Sequence, residues 1–454
     1  MEVERRSIDV VPDSERHGTP RSQFTLWFGA NMQITAVVDG ALAVVFGADA
    51  LWAIVGLLIG NLAGGVVMAL HAAQGPRLGL PQMISSRAQF GVYGAIVPLV
   101  LVVVLYLGFA ATGTVLAGQA INAAFGITAP VVGIVVFGLL TAVVAVIGYR
   151  WIHAMGRIAT VVGILGFTWL LIQLLSQYGL GALVLQKPFD VATFVLAISL
   201  GAGWQLTYGP YVADYSRYLP RDTPERTTFT ATLAGSVIGS QWSMTLGALV
   251  AAVPASTFLK SQVGFLGDLA GGGLLAFAIF LVIVVGKLTV NCLNAYGGFM
   301  SLLTTVTSAS GRDSVSRTTR AVFIGAFVLV SVLIALLASN DFLSSFKNFV
   351  LALLLVFTPW SAINLIDYYL VSKERVDVPA LYDPNGRYGR WNALALVTYG
   401  IGILVQVPFM AQTLYTGPLA AALGGADVSW LIGLVVTAAI YYPLAQRNKE
   451  KVPA

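Results

Sequence analysis

The chain has 454 residues, of which 57% are hydrophobic and 10% charged, and its mean hydropathy is +0.83. Most of these residues cannot face water, so the composition indicates an all-α polytopic membrane protein and excludes a soluble globular domain. The net charge of +5 comes from loop residues and gives no case for binding nucleic acid. Cys292 is the only cysteine, so no intrachain disulfide can form.

Apolar stretches of about 20 residues, long enough to cross a bilayer, recur from end to end. They predict about twelve transmembrane helices, which begin near Phe24, Leu51, Gly91, Val131, Gly156, Val191, Thr228, Gly272, Thr319, Leu343, Trp391 and Val428. A charged tail precedes the first span and no small-residue cleavage site is evident, so we expect a retained helix rather than a signal peptide.

Two of the predicted spans contain helix-breaking residues in their middle. The first break surrounds residues 29–31, and the second runs through Gly201, Gly203, Gly209 and Pro210. Broken helices persist in hydrocarbon only where the freed backbone groups line a cavity or bind something. The breaks are about 170 residues apart, which predicts two inverted halves with a binding site near the midplane.

Basic residues are divided unevenly between the two sides of the predicted bundle. With the N-terminus in the cytoplasm, 21 of the 25 Lys and Arg residues fall inside, and only Lys187, Lys260 and Lys347 fall outside. Lys287 is left within the membrane. The positive-inside rule therefore predicts a plasma-membrane protein with both termini in the cytoplasm.

The predicted organisation is one transport unit with two appended helices. Residues 1–23 form a cytoplasmic tail, and residues 24–371 form a ten-helix core of two inverted halves, at about 24–179 and 190–371. Residues 372–390 form a basic cytoplasmic loop, residues 391–445 hold helices eleven and twelve, and residues 446–454 form a second tail.

Polar residues share one face of the predicted eighth span. Lys287, Asn291 and Asn294 recur at i, i+4 and i+7, so they lie on one side of a helix that should turn away from lipid. An amide presents a donor and an acceptor in one plane, which suits the amide-like edge of a flat base. The alternative is that both asparagines only bond neighbouring helices.

Aromatic residues predict surfaces on which a flat ring can stack. Span three has Tyr106, Phe109 and Gly113 at i, i+3 and i+7, and Trp204 lies in the second broken span. Stacking of a base on an aromatic side chain is worth roughly 1 to 3 kcal/mol, so we expect Phe109 and Trp204 to sandwich the substrate, with helix packing as the alternative. The predicted site is completed by Asn31, Gln33, Gly203 and Gln205.

Four segments resemble the nucleobase:cation symporter-1 family, and most closely its purine/cytosine permease branch. They are WFGANMQ in span one, GPRLGLPQMISSRAQFG after span two, ADYSRYLP at the end of span six and NCLNAYGG in span eight. The resemblance implies a fold like that of the sodium-coupled amino-acid transporters, with substrate between spans one, three, six and eight. By position, Asn294 matches the substrate-binding amide and Trp204 a stacking residue, while Phe109 stands where many members have Trp.

The coupling ion is predicted from the ionisable residues that lie deepest in the spans, Lys287 and Asp39. Sodium-coupled members of the family tend to place two adjacent hydroxyls on span eight beside carbonyls of the first break, here near Gly29 and Met32. This chain has Leu288 and Thr289 at the matching positions, so one oxygen ligand is missing and an ammonium adjoins the site.

We therefore predict proton coupling through Lys287, because a buried lysine can load and release a proton in place of a metal ion. Asp39 is its predicted partner, and the first break contributes carbonyls to the site. The alternative is sodium bound by Thr289 and backbone oxygens, with Lys287 as a constant structural charge.

The loop after span two predicts a gate on the cytoplasmic side. Either Arg77 or Arg87 is placed to pair with Asp214 at the inner end of span six, close to Arg217. Ordinary anchoring of the loop is the alternative.

These observations predict a secondary transporter that imports a nucleobase, purine and/or cytosine, together with a cation. The runner-up is symport of another small planar amide or vitamin, such as allantoin, a hydantoin, or a thiamine- or pyridoxine-like solute. With three His and no nucleophile elbow, phosphate loop or metal-ligand cluster, we expect neither an enzyme nor a bound cofactor. The expected partners are the base and the bilayer, with no obligate protein partner.

Cysteine labelling tests the predicted orientation. Lys187→Cys and Lys260→Cys should react with a membrane-impermeant maleimide added to intact cells, and Arg312→Cys should not, because the excess of basic residues keeps its loop inside. Labelling of Arg312→Cys with protection of the other two positions would invert the topology.

Overall fold

The computed structural model describes residues 9–147, 149–310, 317–413 and 415–450, with side chains described outside 147–159, 303–310, 317 and 448–450. The predicted tail residues 1–8 and 451–454, and the labelling position Arg312, therefore lie outside the described residues.

Helices joined by short loops make up the described ranges, which contain no β-strand. Their bounds are α1 Pro20–Asn31, α2 Ile34–Val45, α3 Ala50–Leu78, α4 Gln82–Ser85, α5 Arg87–Phe90, α6 Ile96–Phe125, α7 Pro130–Ile147, α8 Tyr149–Tyr178, α9 Val191–Leu206, α10 Ala213–Ser216, α11 Glu225–Ala251, α12 Gln262–Leu269, α13 Gly273–Ser310, α14 Arg317–Ala338, α15 Phe342–Leu365, α16 Ala393–Leu404, α17 Pro418–Ala422 and α18 Ser429–Glu450.

Each of the predicted spans has a helix at its position. By length and apolarity, seven helices in the described chain could cross a membrane, or eight if the bent pair α1 and α2 counts as one span. One of the seven, Thr318–Val371, contains both α14 and α15. A polar face lowers the hydropathy of α11, and α7 and α16 are shorter. The number of crossings stays a prediction.

The first break lies just beyond its predicted position. The helix α1 continues through residues 29–31, and the chain leaves helical geometry at Met32 and Gln33, where φ/ψ are −81°/64° and −143°/155°. The two helices then meet at 61°. Gly29 serves packing instead, because a Cβ there would be 2.7 Å from Thr160 Oγ1 on α8.

The second break is also displaced, and it is milder. Helix α9 runs unbroken through Gly201 and Gly203, and a 3-10 turn at Gly209–Tyr211 leads on to α10. The prediction of a break at Gly201 and Gly203 is wrong because these glycines permit close helix packing. A Cβ at Gly201 would be 2.6 Å from the Leu57 carbonyl oxygen of α3, and one at Gly203 would be 2.9 Å from Val350 Cγ1 of α15.

Helix α2 lies at the centre of the bundle, with all residues from Ile34 to Val44 buried. It packs closely on α11, since a Cβ at Gly40 would be 2.2 Å from the Met244 carbonyl oxygen. Burial on every face is typical of a helix inside a large bundle rather than one facing lipid.

The described tail residues pack across one end of the bundle, which we call the tail end. Val11 N donates to Gly79 O at 2.9 Å, and His17 N donates to Tyr218 O at 2.6 Å. These bonds connect the tail to the ends of α3 and α10.

The packing of α2 on α11 predicts a position-specific effect on stability. Gly40→Ala should lower the thermal unfolding midpoint of the purified protein, because overpacking against backbone typically costs about 1 to 3 kcal/mol. Gly325→Ala on α14 is the matched control: its Cβ would meet nothing within 4 Å, and alanine gains about 1 kcal/mol of helix propensity over glycine. A Gly40→Ala midpoint equal to that of the wild type would contradict the packing.

Candidate functional site

A cavity of about 1020 Å³ extends from the first break to the tail end. At its inner end it is lined by Gln33, Phe109, Trp204, Lys287 and Asn294, which are five of the predicted site residues. At the tail end its lining includes the exposed residues His17 and Gly18, so the cavity opens there. The remaining predicted substrate residues, Asn31, Gly113, Gly203, Gln205 and Asn291, do not line it.

Asn294 and Asn291 share a helix face but have different surroundings. Asn291 Nδ2 donates to Ala110 O at 2.9 Å and to Thr114 Oγ1 at 3.1 Å, so this donor joins α13 to α6, while Asn291 Oδ1 has no partner among the described residues. Asn294 has no hydrogen-bond partner among the described residues, although its Nδ2 is buried. A buried amide donor without a partner is costly, so the cavity-lining amide of Asn294 is available to a ligand. Gln23 and Trp27 line the same cavity, and Gln23 Oε1 and Trp27 Nε1 also have no partner among the described residues.

Gly113 allows α6 to come close enough to α13 for Asn291 to hydrogen-bond it. A Cβ at Gly113 would be 2.3 Å from Asn291 Oδ1 and 2.7 Å from Lys287 Cε. The absence of a side chain therefore lets α6 approach α13 at the level of these two polar groups. Gly113 acts in helix packing and does not contact the cavity.

Asn31 connects the two breaks. Its Oδ1 accepts hydrogen bonds from Trp204 Nε1 at 2.5 Å and from Tyr208 OH at 3.1 Å. Its Nδ2 donates to Trp27 O at 2.7 Å and to Ser236 Oγ at 3.1 Å. With every polar atom bonded and the side chain fully buried, Asn31 orients the site without being available to a ligand.

Gln205 belongs to a separate buried network between α3, α9 and α11. Its Nε2 donates to Asn61 Oδ1 at 3.0 Å and to Ser240 Oγ at 2.8 Å, while its Oε1 accepts from Ser236 Oγ at 2.6 Å. Gln205 follows Trp204 in the chain, so on a helix it points in a different direction. The hydrogen bonds of Gln205 hold the part of α9 that carries Trp204 against α3 and α11.

The two predicted stacking residues meet edge to face. The ring centroids of Phe109 and Trp204 are 5.9 Å apart with an interplanar angle of 90°. Two stacked layers need about 7 Å between parallel faces at ordinary carbon contact distances, so a flat ring cannot fit between them here. The predicted sandwich is wrong for this conformation, in which a ligand can stack on one ring face at a time.

Lys287 joins α13 to the start of α2. Its Nζ donates to Gln33 Oε1 at 2.9 Å and to Thr35 Oγ1 at 2.5 Å, and the side chain is 2% exposed. Gln33 is fixed in turn because its Nε2 donates to Ala30 O at 2.9 Å. The amine of Lys287 therefore holds the break at Gln33 and the start of α2 against α13.

Asp39 lies one turn beyond Thr35 on α2. It is fully buried, and neither carboxylate oxygen has a hydrogen-bond partner among the described residues. Asp39 does not bond Lys287 directly, because the lysine bonds Gln33 and Thr35, and its partnership in coupling stays a prediction. An unpaired carboxylate in such a place is costly in its charged form.

The predicted sodium ligands are partly engaged with the backbone. Thr289 Oγ1 donates to Val285 O at 3.0 Å, and Gly29 O accepts from Met32 N at 3.1 Å. The Met32 carbonyl faces α8, 3.0 Å from where a Cβ of Gly163 would lie. In the described ranges no group of three or more His, Cys, Asp or Glu side chains is arranged to hold a metal.

The predicted gate residues lie at the tail end. Arg77 pairs with Glu225 at 3.3 Å and also contacts Glu374, so its predicted pairing with Asp214 is wrong. Arg77 is in the last turn of α3, where it reaches the start of α11.

The other gate residues form a second group of contacts. Arg87 Nη1 donates to Leu381 O at 3.2 Å, Asp214 Oδ1 accepts from Gln82 N at 2.8 Å, and Arg217 Nε donates to the Asp214 carbonyl at 3.2 Å. Pairing of Arg87 with Asp214 stays a prediction.

Several residues of the site were not singled out in the sequence. Thr35 binds Lys287, Tyr211 lines the cavity, and Ser243 Oγ donates to Asn31 O at 2.8 Å. The serines on α11 had a usable signal, because Ser236, Ser240 and Ser243 follow the same i, i+4, i+7 spacing as the polar face of α13.

Comparisons with known proteins agree over nearly the whole chain. Residues 10–433 match the family described as permeases for cytosine/purines, uracil, thiamine, allantoin. The chain is 38% identical over 454 residues to YxlA of Bacillus subtilis, assigned as a purine-cytosine permease, covering 99% of this chain and 98% of that one. It is 25% identical over 462 residues to the purine-cytosine permease fcyB of Emericella nidulans, covering 97% and 88%.

The fold is similar to that of Mhp1, a nucleobase-cation-symport-1 family transporter. The TM-score is 0.77 at 20% identity to its inward-facing conformation, covering 100% of this chain and 96% of that one. It is 0.75 at 19% identity to a closed conformation with bromovinylhydantoin bound, covering 99% and 96%. Proteins of this family are permeases and not enzymes. The chain belongs to the family of permeases for cytosine/purines, uracil, thiamine and allantoin.

Proposed function

We propose that this protein imports a nucleobase, purine and/or cytosine, with a coupled proton by alternating access. The observation that carries the proposal is Asn294: a cavity-lining amide whose donor and acceptor have no partner among the described residues, beside the aromatic pair Phe109 and Trp204. An amide edge and a ring face together match the two features of a base, its polar edge and its flat surface.

A hydantoin or vitamin solute is the second candidate. The family description includes thiamine and allantoin, and Mhp1 has been solved with a hydantoin bound. Such rings also present an amide-like edge, so Asn294 alone does not separate them from a base. The 38% identical relative assigned as a purine-cytosine permease favours the nucleobase.

Proton coupling is supported by the surroundings of the two buried charges. Lys287 donates to two neutral oxygens at the first break, so gain or loss of its proton would change how α13 holds α2. Asp39 has no cation within bonding distance among the described residues, which supports an acid that carries a proton in this conformation. Sodium at Thr289 has less support, since the neighbouring Leu288 offers no oxygen and the ammonium of Lys287 adjoins the site.

The proposal includes the finer architecture. We place twelve spans in the membrane, with residues 24–179 and 190–371 as inverted halves, in a plasma membrane with both termini in the cytoplasm. Under this orientation the cavity opens inward, toward the tail end. The support comes from the bent pair α1 and α2, from the 3-10 turn that follows α9, and from the uneven distribution of basic residues.

A thermal-shift panel on purified protein tests the substrate. Adenine, guanine, hypoxanthine or cytosine should raise the unfolding midpoint, since a ligand at 100 times its dissociation constant adds about 2.7 kcal/mol of stability. Allantoin, hydantoins, thiamine and pyridoxine should raise it less at equal concentration. A shift confined to the latter group would favour the second candidate, and no shift with any compound would refute both.

Asn294→Ala should weaken binding of the active base by about 5- to 150-fold, because it removes bonds whose loss costs roughly 1 to 3 kcal/mol. Asn291→Ala, one turn earlier on the same helix, is the matched comparison. It should lower thermal stability with little change in affinity, because Asn291 bonds α6. Equal affinity of Asn294→Ala and wild type in an equilibrium binding assay would show that Asn294 does not bind the base.

The coupling ion is tested by uptake into proteoliposomes. An inward proton gradient should drive accumulation, and Lys287→Ala should abolish accumulation while leaving base exchange measurable, because the base still binds but the charge at the break no longer changes. Lys260→Ala, an exposed lysine outside the cavity, is the control and should behave as wild type. Accumulation driven by sodium alone at equal pH would overturn proton coupling.

A further inference from the structure

The cavity is larger than one base requires. Its volume of about 1020 Å³ is at the upper end of the roughly 300 to 1,000 Å³ typical of pockets for drug-sized ligands, whereas a nucleobase is a single or fused ring of much smaller size. The residues that form the predicted substrate site, Phe109, Trp204 and Asn294, occupy only its inner end. The rest of the cavity therefore has room for a second ring.

One helical turn closer to the tail end, α6 and α13 carry a second set of residues that line the cavity. Tyr106 precedes Phe109 by three residues on α6, and Gly297 follows Asn294 by three on α13, so each lies on the same helix face as its partner in the inner site. A Cβ at Gly297 would be 2.5 Å from Tyr106 Cζ. The glycine thus lets the tyrosine ring lie against α13 and leaves the cavity open.

Tyr211, from the turn at the second break, completes this level. The rings of Tyr106 and Tyr211 have centroids 5.3 Å apart at an interplanar angle of 37°. Tyr208 connects them to the inner site, with centroids 5.9 Å from Tyr211 and 6.0 Å from Trp204. A continuous aromatic surface therefore leads from the inner site toward the open end.

The polar atoms of this level are available to a ligand. Neither the Tyr106 hydroxyl nor the Tyr211 hydroxyl forms a hydrogen bond within the described residues, and both side chains line the cavity. By contrast, the Trp204 indole and the Tyr208 hydroxyl both donate to Asn31. Two unused hydroxyls beside aromatic faces can bond the edge of a flat ring and stack on its surface.

We propose that Tyr106, Tyr211 and Gly297 form a second binding site for the same class of ligand, a planar heterocycle with an amide-like edge. A base passes through this site between the inner site and the tail end. The proposal rests on the proposed function, because it assumes that the inner site binds such a ring.

Binding stoichiometry tests the second site. The purified full-length protein is titrated in equilibrium dialysis with the radiolabelled base that gives the largest shift in the thermal panel. Wild type should bind two molecules per chain, and Asn294→Ala should keep one at unchanged affinity. The double variant Tyr106→Phe with Tyr211→Phe should bind the molecule at the second site roughly 5- to 150-fold more weakly, because the hydrogen bonds of two hydroxyls are lost. It should keep the molecule at the inner site.

Tyr399→Phe is the matched control, because this buried tyrosine on α16 also lacks a partner for its hydroxyl but does not line the cavity. It should bind two molecules as wild type does. One molecule per chain in wild type, lost in Asn294→Ala, would overturn the second site and leave the proposed function standing. Two molecules that persist unchanged in the double tyrosine variant would overturn its assignment to Tyr106 and Tyr211. Binding of no base at all would refute the proposed function itself.

Discussion

The site depends on one constraint, which is that a polar group in a water-poor interior must find a partner. At the first break, Asn31 satisfies four such groups at once: the Trp27 carbonyl, the Ser236 hydroxyl, the Trp204 indole and the Tyr208 hydroxyl. One side chain thereby fixes the bent α1 against α11 and against the second broken helix. Since Trp204 is a wall of the cavity, the shape of the binding surface follows from this hydrogen-bonded centre.

Two of the polar groups that lack hydrogen-bond partners lie on residues of the predicted site. Asn294 faces the cavity with an unpaired amide, and Asp39 is enclosed with two unpaired oxygens. Each of these unpaired groups costs free energy unless a ligand or a proton satisfies it. The amide lines the cavity, whereas the acid is fully buried and does not line it. Under the proposed function the first would bind the base and the second would carry the proton.

The sequence predicts the helices, the bent first span and the five residues that line the inner cavity, because these depend on apolar length, helix breakers and helical spacing. It does not distinguish Asn294 from Asn291. Both have the right spacing, and the difference arises from α6, which approaches α13 at Gly113 and takes up Asn291. The partner of Arg77 cannot be predicted for a similar reason, since Glu225 is remote in sequence and the choice among acidic residues depends on how the ends of α3 and α11 meet.

In the proposed binding mode, Asn294 binds the polar edge of a base while Trp204, held by Asn31, provides a ring face. This binding mode can be checked in a structure of the protein determined with a bound nucleobase. We expect a base edge within hydrogen-bonding distance of the Asn294 amide, one face against Trp204 or Phe109, and Asn31 still bonded to the Trp204 indole. A base bonded instead to Asn291 or Gln205, with Asn294 turned away from it, would contradict this binding mode.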